Sequence, residues 1–114
     1  MDILKELPIT LPASVEDQTR HAYHLFTIRI DQGRAGMSRD TFLQEMIKRN
    51  IGIGVHYLSG PEHPYYQRTF GWDPDAFPHA RKYGAETVSI PLSAKLSDRD
   101  SMDVVDAISD ILSS

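Results

Sequence analysis

Five histidines, five tyrosines and one tryptophan are the side chains of this 114-residue chain best suited to chemistry beyond simple charge. Several of them lie close together. Val55-His56-Tyr57 runs into Glu62-His63-Pro64-Tyr65-Tyr66 and then into Phe70-Gly71-Trp72. Imidazoles and phenols hydrogen-bond to sugar hydroxyls or phosphate oxygens, and aromatic faces stack on planar or ring-shaped ligands. The same composition also describes an aromatic loop that packs on itself. Residue types alone leave both readings open.

Other chemistries find less support. His21 and His24 fall on opposite faces of an expected strand and cannot chelate one ion together. His56 and His63 flank a turn-like Ser59-Gly60-Pro61, but no third ligand stands at a diagnostic spacing. With His79, these read as ordinary hydrogen-bonded histidines, and no metal is expected. There is no cysteine, which excludes disulfides, thiolate zinc sites, iron–sulfur ligation and thiol catalysis. Gly52-x-Gly54 lacks the third glycine of a dinucleotide fingerprint, and no P-loop occurs. Leu58-Ser59-Gly60-Pro61 lacks the strand–turn–helix setting of a nucleophile elbow. Asp73 and Asp75 flank a proline and read as turn residues.

Six elements are expected to position these residues. His21 to Ile30 is dense in β-branched and aromatic side chains and reads as a strand, with His24, Phe26, Ile28 and Ile30 on one face. Residues 38–49 read as a helix capped by Ser38, with Phe42, Leu43, Met46 and Ile47 as its apolar stripe and Asn50 as its stop. Ile51 to Tyr57 alternates as a second strand. Its face of Gly52, Gly54 and His56 leaves room for backbone or ligand to approach closely. Residues 58–77 read as a long irregular segment, a length often tied to function. Pro78 opens a helix over 78–87, and Val88 to Leu92 is a short strand ended by Pro91. Ser97 with Asp100 forms a capping-box pattern before a helix striped by Val104, Val105, Ile108, Ile111 and Leu112. Residues 1–19, with Pro8 and Pro12, read as a lead-in rather than a core element.

The resulting order, β-α-β-loop-α-β-α, is α/β or α+β: a small mixed or antiparallel sheet covered by helices. The chain suits one domain with one real core, and 40% hydrophobic with 25% charged residues matches a folded globular protein. Sixteen acids against twelve bases give a net charge of −4, which disfavours a nucleic-acid partner gripped through its phosphates. The opening Met1-Asp2-Ile3-Leu4-Lys5-Glu6 lacks a secretory pattern, and no run approaches a membrane span. The expectation is a cytoplasmic protein without membrane contact.

Five stretches, taken in order, resemble a known family. They are His21 to Ile30, Ser38-Arg39-Asp40-x-Phe42, Asn50 to Tyr57, His63-Pro64-Tyr65-Tyr66 and Ser89-Ile90-Pro91-Leu92. Over roughly residues 18–113 the chain resembles the C-terminal small domain of the DegT/DnrJ/EryC1/StrS pyridoxal-phosphate-dependent sugar aminotransferases. The Gly-Ile-Gly-Val-His-Tyr and His-Pro-Tyr-Tyr pair is the most specific part. The resemblance implies the small domain of the aspartate-aminotransferase type I fold, preceded in the family by a large cofactor-binding domain. It implies a homodimer with active sites at the subunit interface. It also implies transfer of an amino group from glutamate, or a similar donor, to a keto-sugar that is often nucleotide-linked.

On this resemblance residues 1–17 lead in from a missing upstream large domain, and 18–114 form the small domain. Lys5, Lys48, Lys82 and Lys95 do not sit in a stretch like the family's cofactor-binding lysine motif. Pyridoxal phosphate is therefore expected in the parent enzyme, none is expected bound here, and no catalytic residue is assigned. The chain alone is expected not to transaminate. What carries over is part of the substrate site. Tyr57 is expected to contact the sugar nucleotide through its hydroxyl with His56 beside it, and His63 and Tyr65 follow in the next loop. Uncovering a face that the large domain would bury is expected to promote self-association. A free-standing binding or docking module of the same fold is the competing reading, and an unrelated small α/β domain is a third.

Overall fold

The computed structural model describes residues 3–113. Met1 and Asp2 of the expected lead-in, and Ser114 of the expected small domain, lie outside the described residues. Two β-rich segments meet at the centre. Strand β1 (Phe26–Arg29) pairs antiparallel with β2 (Thr87–Ile90), in the register Phe26↔Ile90, Thr27↔Ser89, Ile28↔Val88 and Arg29↔Thr87. Ile28 and Val88 face each other across the pair and are both fully buried. Each strand has one further neighbour. Thr10 bridges Arg29 on one side and Gly54 bridges Ser89 on the other, each through a reciprocal pair of backbone hydrogen bonds.

Local signals place the helices. Short α1 (Gln32–Ala35) starts at Asp31, whose carboxylate accepts from the Arg34 amide, and stops at Gly36 with φ 74°. Helix α2 (Arg39–Lys48) is capped by Ser38, whose hydroxyl accepts from the Thr41 amide at 3.2 Å. Helices α3 (Pro64–Phe70) and α4 (Pro78–Glu86) each begin with proline, where the missing amide proton costs nothing. Helix α5 (Asp98–Ser113) opens on a complete capping box. The Ser97 amide donates to the Asp100 carboxylate at 2.9 Å, and the Asp100 amide donates to the Ser97 hydroxyl at 3.1 Å.

The core gathers Ile28, Ile30, Phe42, Met46, Val88 and Ile108, with Val104, Ile111 and Leu112 from α5. Helix α2 packs on α5 and on β2. The small antiparallel sheet with covering helices agrees with the expected α+β class.

Several details depart from expectation. The segment before residue 12 is part of the core. Leu4 sits on a 3-10 turn over Ile3–Glu6, and both it and Ile9 are buried. Pro8 and Pro12 do prevent a continuous helix there, but one turn and one bridge are enough to dock apolar side chains. The first strand begins at Phe26 rather than His21. Tyr23 has φ 48°, and its amide donates to His21 Nδ1 at 2.8 Å, which holds residues 21–23 in a local turn. Ile47 does not join the stripe of α2 and is 61% exposed. At about 100° per residue it lies roughly 140° around the helix from Phe42, whereas Met46 lies within about 40°. Residues 51–57 form no strand beyond the Gly54 bridge. Residues 58–77 are not irregular: they hold 3-10 turns at Gly60–Glu62 and Pro74–Ala76 and helix α3, ended by Gly71 at φ 65°.

Candidate functional site

His56 and Tyr57 leave the sheet edge side by side. Their position begins with Gly54, which hydrogen-bonds Ser89 of β2 in both directions, at 3.1 and 2.8 Å. Two residues on, the His56 ring returns over that glycine. A Cβ at Gly54 would stand 3.2 Å from His56 Cε1. The group that approaches this glycine is therefore the neighbouring imidazole, while Gly52 faces open space. His56 Nδ1 lies 2.8 Å from the Ser89 hydroxyl. The Tyr57 ring stands edge-on to His56, with centroids 4.8 Å apart and planes at 86°. The peptide between the two is cis.

Tyr57 is 71% exposed. Strand parity would have grouped it with Ile51, Ile53 and Val55. The absence of a regular strand here frees it from that face, so its hydroxyl is open to a ligand. The backbone after it rests on α4. A Cβ at Gly84 would meet the Ser59 amide nitrogen at 3.1 Å and the Tyr57 carbonyl oxygen at 3.5 Å. Gly84 itself is fixed by Arg39, whose Nη1 donates to the Gly84 and Thr87 carbonyls at 2.9 and 3.0 Å. One guanidinium thus ties the end of α4 to the start of β2.

His63 and Tyr65 belong to a neighbouring group. His63 Nε2 donates to the Leu58 carbonyl at 3.3 Å, which links it to the Tyr57 segment. The Ser59 hydroxyl donates to Glu62 in the same turn. Tyr65 is exposed on α3 and meets Tyr66 edge-on at 5.3 Å. Tyr66, Phe70 and Trp72 stack mutually with centroids 5.3 to 6.0 Å apart, and Phe77 leans on Trp72 at 5.8 Å. Part of the aromatic run therefore does pack on itself, as the plainer reading of the composition allows. All four of these rings nevertheless remain partly exposed. The structure thus pairs His56 with Tyr57, joins His63 to them through Leu58, and sets Tyr65 apart on α3.

Ser89 and Gly84 hold the His56–Tyr57 pair but do not stand out as site residues by type. A serine inside the apolar run Val88-Ser89-Ile90 is the one hint in the sequence. His21 and His24 lie outside the strand, and His21 stacks on Tyr23 at 4.2 Å. Asp73 serves as the turn residue expected of it, accepting from the Asp75 amide at 2.9 Å. Among the described residues no group of three His, Asp or Glu is placed to hold a metal ion.

Pyridoxal phosphate needs a lysine in an enclosed pocket. Lys5, Lys48, Lys82 and Lys95 are all at the exposed surface, and Lys48 is paired with Glu45 at 2.7 Å. The described residues therefore do not by themselves fit that cofactor.

Residues 1–109 match the family model for the DegT/DnrJ/EryC1/StrS aminotransferase family. The chain is 37% identical over 109 residues to the spore coat polysaccharide biosynthesis protein SpsC of Bacillus subtilis strain 168, covering 95% of this chain and 28% of SpsC. It superposes on S. venezuelae DesV, solved in complex with a ketimine intermediate, with a TM-score of 0.81 at 27% identity, over 96% of this chain and 28% of DesV. Helicobacter pylori PseC, an aminotransferase involved in the biosynthesis of pseudoaminic acid, shares the fold with a TM-score of 0.83 at 21% identity, over 98% of this chain and 29% of PseC. The chain thus spans less than a third of the length of each of these proteins. The match runs through both the His56–Tyr57 segment and the core beneath it, and on that basis the chain belongs to the DegT/DnrJ/EryC1/StrS aminotransferase family.

Proposed function

We propose that the chain is the C-terminal small-domain part of a pyridoxal-phosphate-dependent aminotransferase acting on a keto-sugar, most simply a nucleotide-linked one. On this reading it supplies one wall of the substrate site. The cofactor and its lysine belong to a larger domain that precedes residues 1–17 in the whole enzyme. Tyr57 offers its hydroxyl to a sugar hydroxyl or phosphate oxygen, with His56 beside it and His63 and Tyr65 further along the same wall. The whole enzyme works as a homodimer.

The observation that carries this is the Tyr57 phenol, 71% exposed and edge-on to an imidazole anchored on Ser89, while the Tyr57 backbone carbonyl rests against Gly84. Family membership and the names of the relatives supply the reaction class.

The test uses two samples. One is the chain alone with added pyridoxal phosphate, glutamate and a keto-sugar nucleotide. The other is a complete family enzyme whose matching segment is replaced by this chain. Turnover is expected from the chimera and not from the chain alone. Turnover by the chain alone would contradict the proposal, as would an inactive chimera that still folds and binds cofactor.

The competing reading, a free-standing docking module, draws on the exposed Tyr66–Phe70–Trp72 stack. A docking module would leave the folded chimera inactive.

A further inference from the structure

Ser89 is a buried polar residue that the substrate reading leaves unused. It lies within β2 opposite Thr27, is 6% exposed, and its backbone N–H and C=O both hydrogen-bond Gly54. Its hydroxyl has one hydrogen-bond partner among the described residues, His56 Nδ1 at 2.8 Å. Two proton arrangements satisfy that distance. If Nδ1 carried the proton and donated, the serine hydroxyl would accept, and its own proton would be buried without an acceptor. Leaving a buried donor unpaired is costly. If the serine donates, Nδ1 is the acceptor, and neither atom of this buried contact is left with an unpaired proton. The neutral imidazole then carries its proton on Nε2.

We propose that Ser89 is a positioning residue that fixes His56 as the Nε2–H tautomer and so presents it beside Tyr57 as a hydrogen-bond donor. The deduction rests on the substrate-wall reading only for what His56 faces; the Ser89–His56 relation stands without it. Among the described residues Nε2 has no hydrogen-bond partner. The ring cannot easily turn away, since Gly54 lies under one face and Tyr57 stands edge-on to it. The ligand chemistry that follows is an oxygen acceptor, a sugar hydroxyl or a phosphate oxygen, at the Nε2 corner. A ligand group with only protons to donate would find no partner there.

The experiment is a long-range 15N–1H NMR spectrum of the labelled chain at mildly alkaline pH, without ligand. Nδ1 of His56 is expected at the unprotonated, pyridine-like position and Nε2 at the protonated, pyrrole-like one. Ser89→Ala is expected to average the two, and Ser89→Thr, which keeps the hydroxyl, to restore them. A protonated Nδ1 in the unsubstituted chain overturns the proposal and needs no variant to fold. An unchanged spectrum in folded Ser89→Ala overturns it too.

In the active chimera, Ser89→Ala is expected to raise the sugar KM about tenfold, the scale of one hydrogen bond, and an unchanged KM removes the positioning role. Failure of the substrate reading looks different. The tautomer would be as stated, while Tyr57→Phe would leave the sugar KM unmoved.

Discussion

Gly84 lies directly beneath Ser59: a Cβ there would stand 3.1 Å from the Ser59 amide nitrogen. The opposing atom is backbone, so it cannot swing aside as a flexible side chain would. Gly84→Ala should gain about 1 kcal/mol of helix propensity in α4. It should lose more, about 1–3 kcal/mol, by forcing residues 57–59 outward. The expected result is a net loss of roughly 1 kcal/mol in chemical denaturation, with a changed environment for the Tyr57 ring in NMR. A variant more stable than the parent would show that the close approach is not there.

Thr87 gives the opposite sign. It is fully buried, and its hydroxyl has no hydrogen-bond partner among the described residues. Thr87→Val keeps the shape and removes an unsatisfied polar atom. Stability should rise by about 1 kcal/mol, read as a higher denaturation midpoint with an unchanged slope. A loss of stability would mean that the hydroxyl has a partner, such as a buried water.

The start of α5 should respond to acid. The Ser97 amide, and then the Ser97 hydroxyl contact, hold the Asp100 carboxyl below the usual carboxylate range. Hydrogen bonds from Lys48 first and Arg49 second do the same for Glu45 on α2. A carboxyl whose folded pKa is depressed contributes stability above its unfolded value and loses it as pH falls through the folded one. Helix signal should therefore decline in acid, with the Asp100 side-chain carboxyl titrating below free aspartate by NMR. Ser97→Ala should move that titration upward. No movement would mean that the Ser97 hydroxyl takes no part in holding the Asp100 carboxyl low.

Self-association follows from the proposed assembly. Phe70 at 57% and Trp72 at 40% exposed form part of an uncovered aromatic surface. Sedimentation at rising concentration should show dimers or larger species, and Phe70→Arg should shift the population toward monomer. A chain monomeric at all concentrations would contradict the expectation.

Much of the frame was legible in the residues. Ser38, Ser97 with Asp100, Pro78 and the stripe from Val104 to Leu112 read as helix signals because capping and periodicity are local physics. The crowding of rings after residue 55 is visible in composition, but it leaves self-packing and ligand contact equally open; only the family resemblance singles out His56 and Tyr57. What was not legible depends on distant partners. Residues 51–57 alternate like a strand, yet a strand needs an edge to pair with, and β2 pairs with them only at Gly54. Helix α3 was hidden because Tyr65 to Phe70 have modest helix propensity, and only Pro64 and Gly71 mark its ends. Leu4 and Ile9 are separated from the rest of the core by a long stretch of sequence, so nothing local shows that they fill it. Ser89 becomes visible only once His56 is seen above it.

The most direct test of the account is the sugar KM of the active chimera carrying Tyr57→Phe. This change removes one hydroxyl, at a site where the ring is already exposed and little stability is at stake. The account predicts a rise of about tenfold, the loss of roughly 1.4 kcal/mol of hydrogen bonding, with cofactor binding unaffected. A sugar KM equal to that of the unsubstituted chimera would contradict a substrate role for Tyr57.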